Sequence, residues 1–198
     1  MVVRAGDEIH NPSTGSLLRI LETDSETAGL GFALEVVSPA GAGPDVPEHF
    51  HRDWTEWFTI LAGRARYRLD GDERMAEAGE TIVFPPGHRH IHPWNAGDTE
   101  LVYRQETRFA VASPQAVQDT LGVFGALYRM AARGETNARG LPRNPLQLAA
   151  MLKVLVRHGG FDAAIPVAAQ KLIAATLGSL AERLGYSARE EASQAPRK

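Results

Sequence analysis

Cysteine is absent from this chain of 198 residues. Its absence excludes a disulfide framework, a thiolate nucleophile and a thiolate metal ligand. Any metal held here must be taken by nitrogen and oxygen donors. The same absence suits a reducing compartment, and a cytoplasmic protein is expected. An excess of positive charge is also lacking: 21 Lys and Arg stand against 24 Asp and Glu, for a formal charge of −3. The basic residues are scattered, so no nucleic-acid partner is expected. Long apolar runs are missing as well. The longest candidate, residues 146–156, is interrupted by Gln147 and Lys153 and is too short to span a bilayer. Residues 1–10 carry acids and no apolar stretch, so they do not read as a signal peptide, and no membrane partner is expected.

What remains is ordinary globular composition, 43% hydrophobic and 23% charged. The length suits one good-sized domain, alone or with an appendage. Before Ser113, short β-favouring runs alternate with Gly, Pro and Asp. Residues 17–21, 30–37, 57–61, 65–69, 81–84 and 101–105 read as strands. Gly63, Asp70-Gly71, Gly79 and Gly97-Asp98 mark turns between them. Many short strands with regular turns predict a closed or sandwiched antiparallel β domain. Arg64, Arg66 and Arg68 alternate with Ala65, Tyr67 and Leu69, which assigns the arginines to a solvated outer face.

After Ser113 the period becomes helical. Ser113-Pro114 supplies an N-cap followed by proline, before a helix reaching about residue 133. Asn144-Pro145 repeats that signal before residues 146–158, and a third helix is expected from about 164 to 184, stopped by Gly185. The loop at 134–143 holds Gly, Thr, Asn and Pro, and the tail from 187 is polar and expected to fray. These apolar helices need a covering surface, either the β domain or a second subunit, and a homodimer is expected. His158, at a helix end, reads as a structural complement to the helix dipole.

The richest stretch runs from residue 43 to 95. His49 and His51 are two apart, so on a strand both imidazoles reach one face. Glu56 follows after a short loop, and His90 sits on a distant segment. Three imidazoles and one carboxylate make a complete candidate metal site. His88, His90 and His92 are also spaced by two. His88 falls in the Pro-Gly turn and reads as exposed. His92 should share the face of His90, as should Trp94, and is the candidate catalytic group for proton transfer. Trp54, Trp57 and Phe58 flank Glu56, either as core or as the wall of a pocket for a planar substrate.

Two motifs carry a resemblance. Gly43, His49, His51, Glu56 and Gly63 keep every interval of the first motif of the cupin superfamily, and Gly79, Pro85, Gly87 and His90 keep those of the second. One position departs: the closing Asn of the second motif should be residue 94, which is Trp, and Asn95 comes one residue late. The chain resembles small single-domain bacterial cupins with a helical C-terminal extension. The resemblance implies a mainly β fold, a double-stranded β-helix or jelly-roll barrel over residues 1–112, with 113–198 as a helical extension of about three helices. It further implies that His49, His51, Glu56 and His90 bind a divalent metal ion: Fe, Ni, Mn, Zn or Cu. Four such ligands would leave two positions of an octahedral ion open. A net site charge of about +1 would then favour an anionic enolate, carboxylate or phenolate. The functional expectation is a metal-dependent enzyme acting on a small organic molecule, by dioxygenase-type or isomerase-type chemistry. The alternative is a non-catalytic small-ligand, metal-binding or sensor protein.

Overall fold

The structure, a computed structural model, describes residues 2–137 and 140–188. In chain order the first elements are β1 (Glu8–His10), β2 (Leu17–Glu22), α1 (Asp24–Thr27), β3 (Gly31–Ser38), β4 (His49–His51) and β5 (Trp54–Ala62). Next come β6 (Arg64–Leu69), β7 (Asp72–Glu77), β8 (Thr81–Phe84), β9 (His90–Asn95) and β10 (Leu101–Phe109). The rest are α2 (Pro114–Ala132), α3 (Pro145–Arg157), β11 (Gly160–Asp162), α4 (Val167–Ile173), a π-helical turn (Ala174–Gly178) and α5 (Ser179–Arg183). The strands form two antiparallel sheets, ordered β1-β2-β3-β10-β5-β8 and β11-β4-β9-β6-β7. This is the jelly-roll barrel that the motifs imply, and all six strand runs read from the sequence are present.

Period-two alternation builds the interior. Trp54, Glu56, Phe58 and Ile60 of β5 point inward, as do Leu101, Tyr103, Gln105, Thr107 and Phe109 of β10. Phe32, Phe58 and Phe84 are wholly buried, each contributing about 1.5–3 kcal/mol by leaving water. The arginine stripe of β6 faces out, as expected. It meets acids of the neighbouring edge strand β7: Arg64 pairs with Glu77, and Arg66 and Arg68 with Glu73. Asp70 and Gly71 both take positive φ, 52° and 89°, and close the β6–β7 hairpin.

Both predicted helix starts are capped. Ser113 Oγ accepts from the Ala116 amide at 3.1 Å, and Asn144 Oδ1 from that of Leu146 at 2.9 Å. Helix α2 lies between two apolar surfaces. Val117, Leu121 and Tyr128 join the barrel core, while Val123, Ala126 and Met130 pack against Met151 and Val154 of α3. That double burial leaves most of the helix covered. The third predicted helix differs from expectation, because a π-turn at Ala174–Gly178 interrupts it. Its inner face is small: a Cβ at Gly178 would lie 2.9 Å from the Ala149 carbonyl oxygen of α3. Leu172, Leu177, Leu180 and Leu184 are instead exposed. The tail expected to fray lies, from residue 189 onward, outside the described residues, as do positions 138 and 139 of the loop after α2. Among the described residues no helix is long and apolar enough to cross a membrane.

The segment after Ser113 also holds one element the sequence reading lacked. Strand β11 returns to the barrel and pairs with β4, in the register Gly160↔His51, Phe161↔Phe50 and Asp162↔His49.

Strand β9 corrects the expectation for Trp94. Its register against β6 pairs Leu69 with His90 and Arg68 with Ile91, then Arg66 with Trp94 and Ala65 with Asn95. One extra residue is accommodated between these pairs, a β-bulge beside Pro93, which has no amide hydrogen for the ladder. The bulge turns Trp94 away from the His90 face and brings Asn95 inward, where it is 5% exposed. Asn95 Nδ2 donates to the carbonyls of Ser38, Pro39 and Thr99 at 3.0, 3.0 and 2.8 Å, and its Oδ1 accepts from the Gly97 amide at 2.8 Å. The late Asn thus clamps the turn from one register later. Replacing Asn95 by Ala would strip these buried carbonyls of their donor. The expected loss is about 2–3 kcal/mol, read from urea unfolding, and a neutral outcome would remove the clamp role.

Candidate metal centre

His49 and His51 come from the short strand β4, Glu56 from β5 and His90 from β9. The single register pair joining β4 to β9 is His49↔His90, so two of the expected ligands are direct cross-strand neighbours. Strand β5 lies in the opposite sheet and turns Glu56 inward to meet them. One nitrogen or oxygen from each of His49, His51, Glu56 and His90 falls within 4.8 Å of all the others. The His49 ring centroid is 4.9 Å from that of His51 and 4.4 Å from that of His90. Glu56 Oε2 lies 3.3 Å from His90 Nε2 and 3.8 Å from His51 Nε2.

Backbone carbonyls fix two of the rings. His49 Nδ1 is 2.8 Å from the Pro47 oxygen, and His90 Nδ1 is 2.9 Å from the His88 oxygen. A carbonyl can only accept, so Nδ1 carries the proton and Nε2 of each neutral ring offers its lone pair inward. Among the described residues, His90 Nε2 and His51 Nδ1 are buried without a hydrogen-bond partner. Orphaned nitrogens inside a barrel are unfavourable unless something else satisfies them, and a metal ion at the Nε2 cluster would do so for His90. The donor set therefore fits a divalent ion bound by nitrogen and oxygen.

The electrostatics agree with that fit. Burial holds the His49 imidazole well below its ordinary value, and the neighbouring imidazoles push it the same way. Burial lowers His51 to about 3, against the opposing pull of Glu56. For Glu56, burial alone would raise the carboxyl; the imidazoles of His51 and His92 outweigh it and hold it well below the usual range. Neutral imidazoles around an ionised carboxylate are the protonation state that binds a metal.

Other groups anchor the carboxylate. Gln105 Nε2 donates to Glu56 Oε1 at 3.1 Å, and Thr107 Oγ1 donates to the same oxygen at 3.3 Å. Both stand on β10, where Thr107 is the register partner of Glu56. Thr107 lies beyond the strand expected at 101–105, and Gln105 is its last residue, so neither stood out in the sequence. The available signal was polar residues at inward positions of an alternating strand. His92 lies on the far oxygen, with Nε2 3.1 Å from Glu56 Oε2. It is 5% exposed, packs against Phe58 at 4.8 Å and is parallel to His90.

The remaining candidates stand apart. His88 is exposed and pairs with Asp70 at 2.6 Å. His158 Nε2 lies 2.7 Å from Asp119 Oδ2 of α2, so it bridges two helices as well as ending one. Trp54 stacks on Phe109 and sets its ring 4.1 Å from that of His51, while Phe84 lies flat against His90 at 4.3 Å. The aromatics flanking Glu56 on its inward face are thus the wall of the ligand cluster.

No curated protein matches the chain. Among solved structures, a predicted oxalate decarboxylase of Thermotoga maritima is similar at 21% identity and a TM-score of 0.46, over 55% of this chain and 99% of its own. The cupin domain of Cnp3 from Schizosaccharomyces pombe is similar at 17% identity and a TM-score of 0.42, over 62% and 74%. A double-stranded β-helix protein of Klebsiella pneumoniae is similar at 18% identity and a TM-score of 0.40, over 56% and 84%. The model of the cupin domain family matches residues 35–104, the part of the chain that carries all four clustered ligands, and the barrel built around them belongs to the cupin superfamily.

Proposed function

We propose that this protein is a divalent-metal-dependent enzyme acting on a small organic molecule. The carrying observation is the convergence of His49, His51, Glu56 and His90 within 4.8 Å inside a barrel, with the buried His90 Nε2 making no hydrogen bond among the described residues. When bound, the ion supplies Lewis acidity toward a substrate oxygen and, if redox-active, electrons. Dioxygenase-type chemistry is the first reading and isomerase-type chemistry the second. Gln105 and Thr107 hold one oxygen of Glu56, which leaves the other facing the histidines. His92 holds a proton at Nε2 beside that second oxygen, where it can pass one to or from a bound enolate or phenolate. Phe58 and Phe84 exclude water on that side.

A non-catalytic sensor is the rival reading. It is favoured by the direct pairing of β11, from the C-terminal segment, with the ligand strand β4. The expected homodimer would use the leucine face of α4 and α5, where Leu172 and Leu184 are 65% and 59% exposed.

Protein purified from metal-supplemented medium should carry a divalent metal by elemental analysis, and His49→Ala should lower it to trace levels. Oxygen uptake or isomerisation with a panel of diketones, flavonols and phenolic acids should then be lost in the variant. Metal in the wild type without any turnover would favour the sensor.

Acid should destabilise the metal-free protein. An unfolded histidine titrates near 6.5, whereas His49 and His51 titrate lower when folded, so the unfolded chain binds more protons below that pH. Stability should fall as pH drops from about 6.5 toward 3, and the lowered Glu56 adds to the loss below its ordinary 4.5. Thermal unfolding across this range checks the sign; a rise on acidification would contradict it. Light scattering should give a dimer mass, and Leu172→Lys should return a monomer.

A further inference from the structure

Strand β4 carries two of the four ligands yet is only three residues long. On the barrel side it has one register pair, His49↔His90, and one further backbone bond, from the Gly87 amide to the His51 oxygen at 2.6 Å. On the other side it has three register pairs, all with β11. Two further bonds extend that ladder: the Arg52 amide donates to the Gly159 oxygen at 2.9 Å, and the Ala163 amide to the Glu48 oxygen at 3.0 Å. Side chains reinforce it. Phe161 stacks on Phe50 at 5.4 Å and 24°, and the Arg52 guanidinium covers Phe161 at 5.2 Å. A three-residue strand with one ladder pair has little to hold its register, so most of its backbone pairing comes from outside the barrel.

A second path reaches the ligand ring itself. Gly160 lies so near Trp54 that a Cβ there would sit 3.2 Å from the indole, and the indole ring is 4.1 Å from that of His51. Moving Gly160 therefore moves the surface on which His51 rests. Gly160 and Phe161 touch no metal ligand atom; they act through β4 and Trp54.

We propose that Gly160–Asp162 is a positioning element of the metal centre, so that docking of the C-terminal segment and metal affinity form one linked equilibrium. The inference rests on the metal-binding reading above. Linkage is reciprocal: if docking of β11 tightens metal binding by some factor, metal tightens docking by the same factor. Phe161 and Gly160 are the positioning residues, and the helices α3 to α5 share in the coupling because they flank β11 in the chain.

The test uses the full chain and Co(II) as probe. Wild type, Phe161→Ala, Phe161→Tyr and Gly160→Ala are titrated by competition with a chelator, and the visible absorption of each Co(II) form is recorded. Phe161→Ala should weaken Co(II) binding about 10–100-fold, the usual effect of losing support behind a ligand, and Phe161→Tyr should restore it. Gly160→Ala should shift the Co(II) bands while its circular dichroism stays that of wild type. Amide exchange supplies the reciprocal reading: Co(II) should slow exchange at Arg52 and Ala163 in wild type and lose most of that effect in Phe161→Ala. Equal affinity and identical bands in a folded Phe161→Ala would overturn the inference, as would amides at Arg52 and Ala163 that ignore Co(II). If Phe161→Ala does not fold, unshifted bands in Gly160→Ala overturn it. A wild type that takes up no Co(II) sinks the metal reading instead.

Discussion

An ionised carboxylate inside an apolar barrel is the constraint to which the rest of this molecule answers. Left alone, buried Glu56 would be strongly unfavourable. It is surrounded by donors: Gln105 and Thr107 on one oxygen, His92 on the other, with His90 and His51 nearby. The hydrogen-bonding partners come from β10 and β9, which lie in different sheets, so both sheets must be in register before the carboxylate is satisfied. The cluster thereby ties the two walls of the barrel together. His49 and His51 in turn stay neutral because they are buried, which leaves their lone pairs free.

Much of this could be read from residue order, and the losses have physical causes. His49, His51, Glu56 and His90 were legible because period two places alternate residues on one face, and because their spacing keeps the cupin intervals. Gln105 and Thr107 were not, since hydrogen bonds across strands leave no interval in the chain. Strand β7, Asp72-Glu-Arg-Met-Ala-Glu, lacks apolar alternation because it is a solvated edge held partly by ion pairs to β6. Strand β11 was invisible for a different reason. Three residues after a helix carry too little pattern, and their conformation is set by β4 rather than by their own propensity. The break in the third helix is similar: the π-turn lies where small residues press against α3.

The C-terminal segment is therefore structural to the barrel as well as appended to it. Helix α2 covers the core, α3 covers α2, and the chain then re-enters the sheet beside the ligands. The following helix turns its small residues inward and its leucines outward, the reverse of a solvated helix on a monomer.

The bulge in β9 settles a question of parity. His90 and Asn95 are an odd number of residues apart, and in a regular strand odd separations fall on opposite faces. One strand could then serve the ligand cluster or the turn clamp, but not both. The added residue beside Pro93 changes odd into even. Removing the one extra residue would leave an even separation, which a regular strand places on one face without a bulge, whereas removing a pair would still require one. The irregularity is thus the joint that lets one short strand do two jobs on one face.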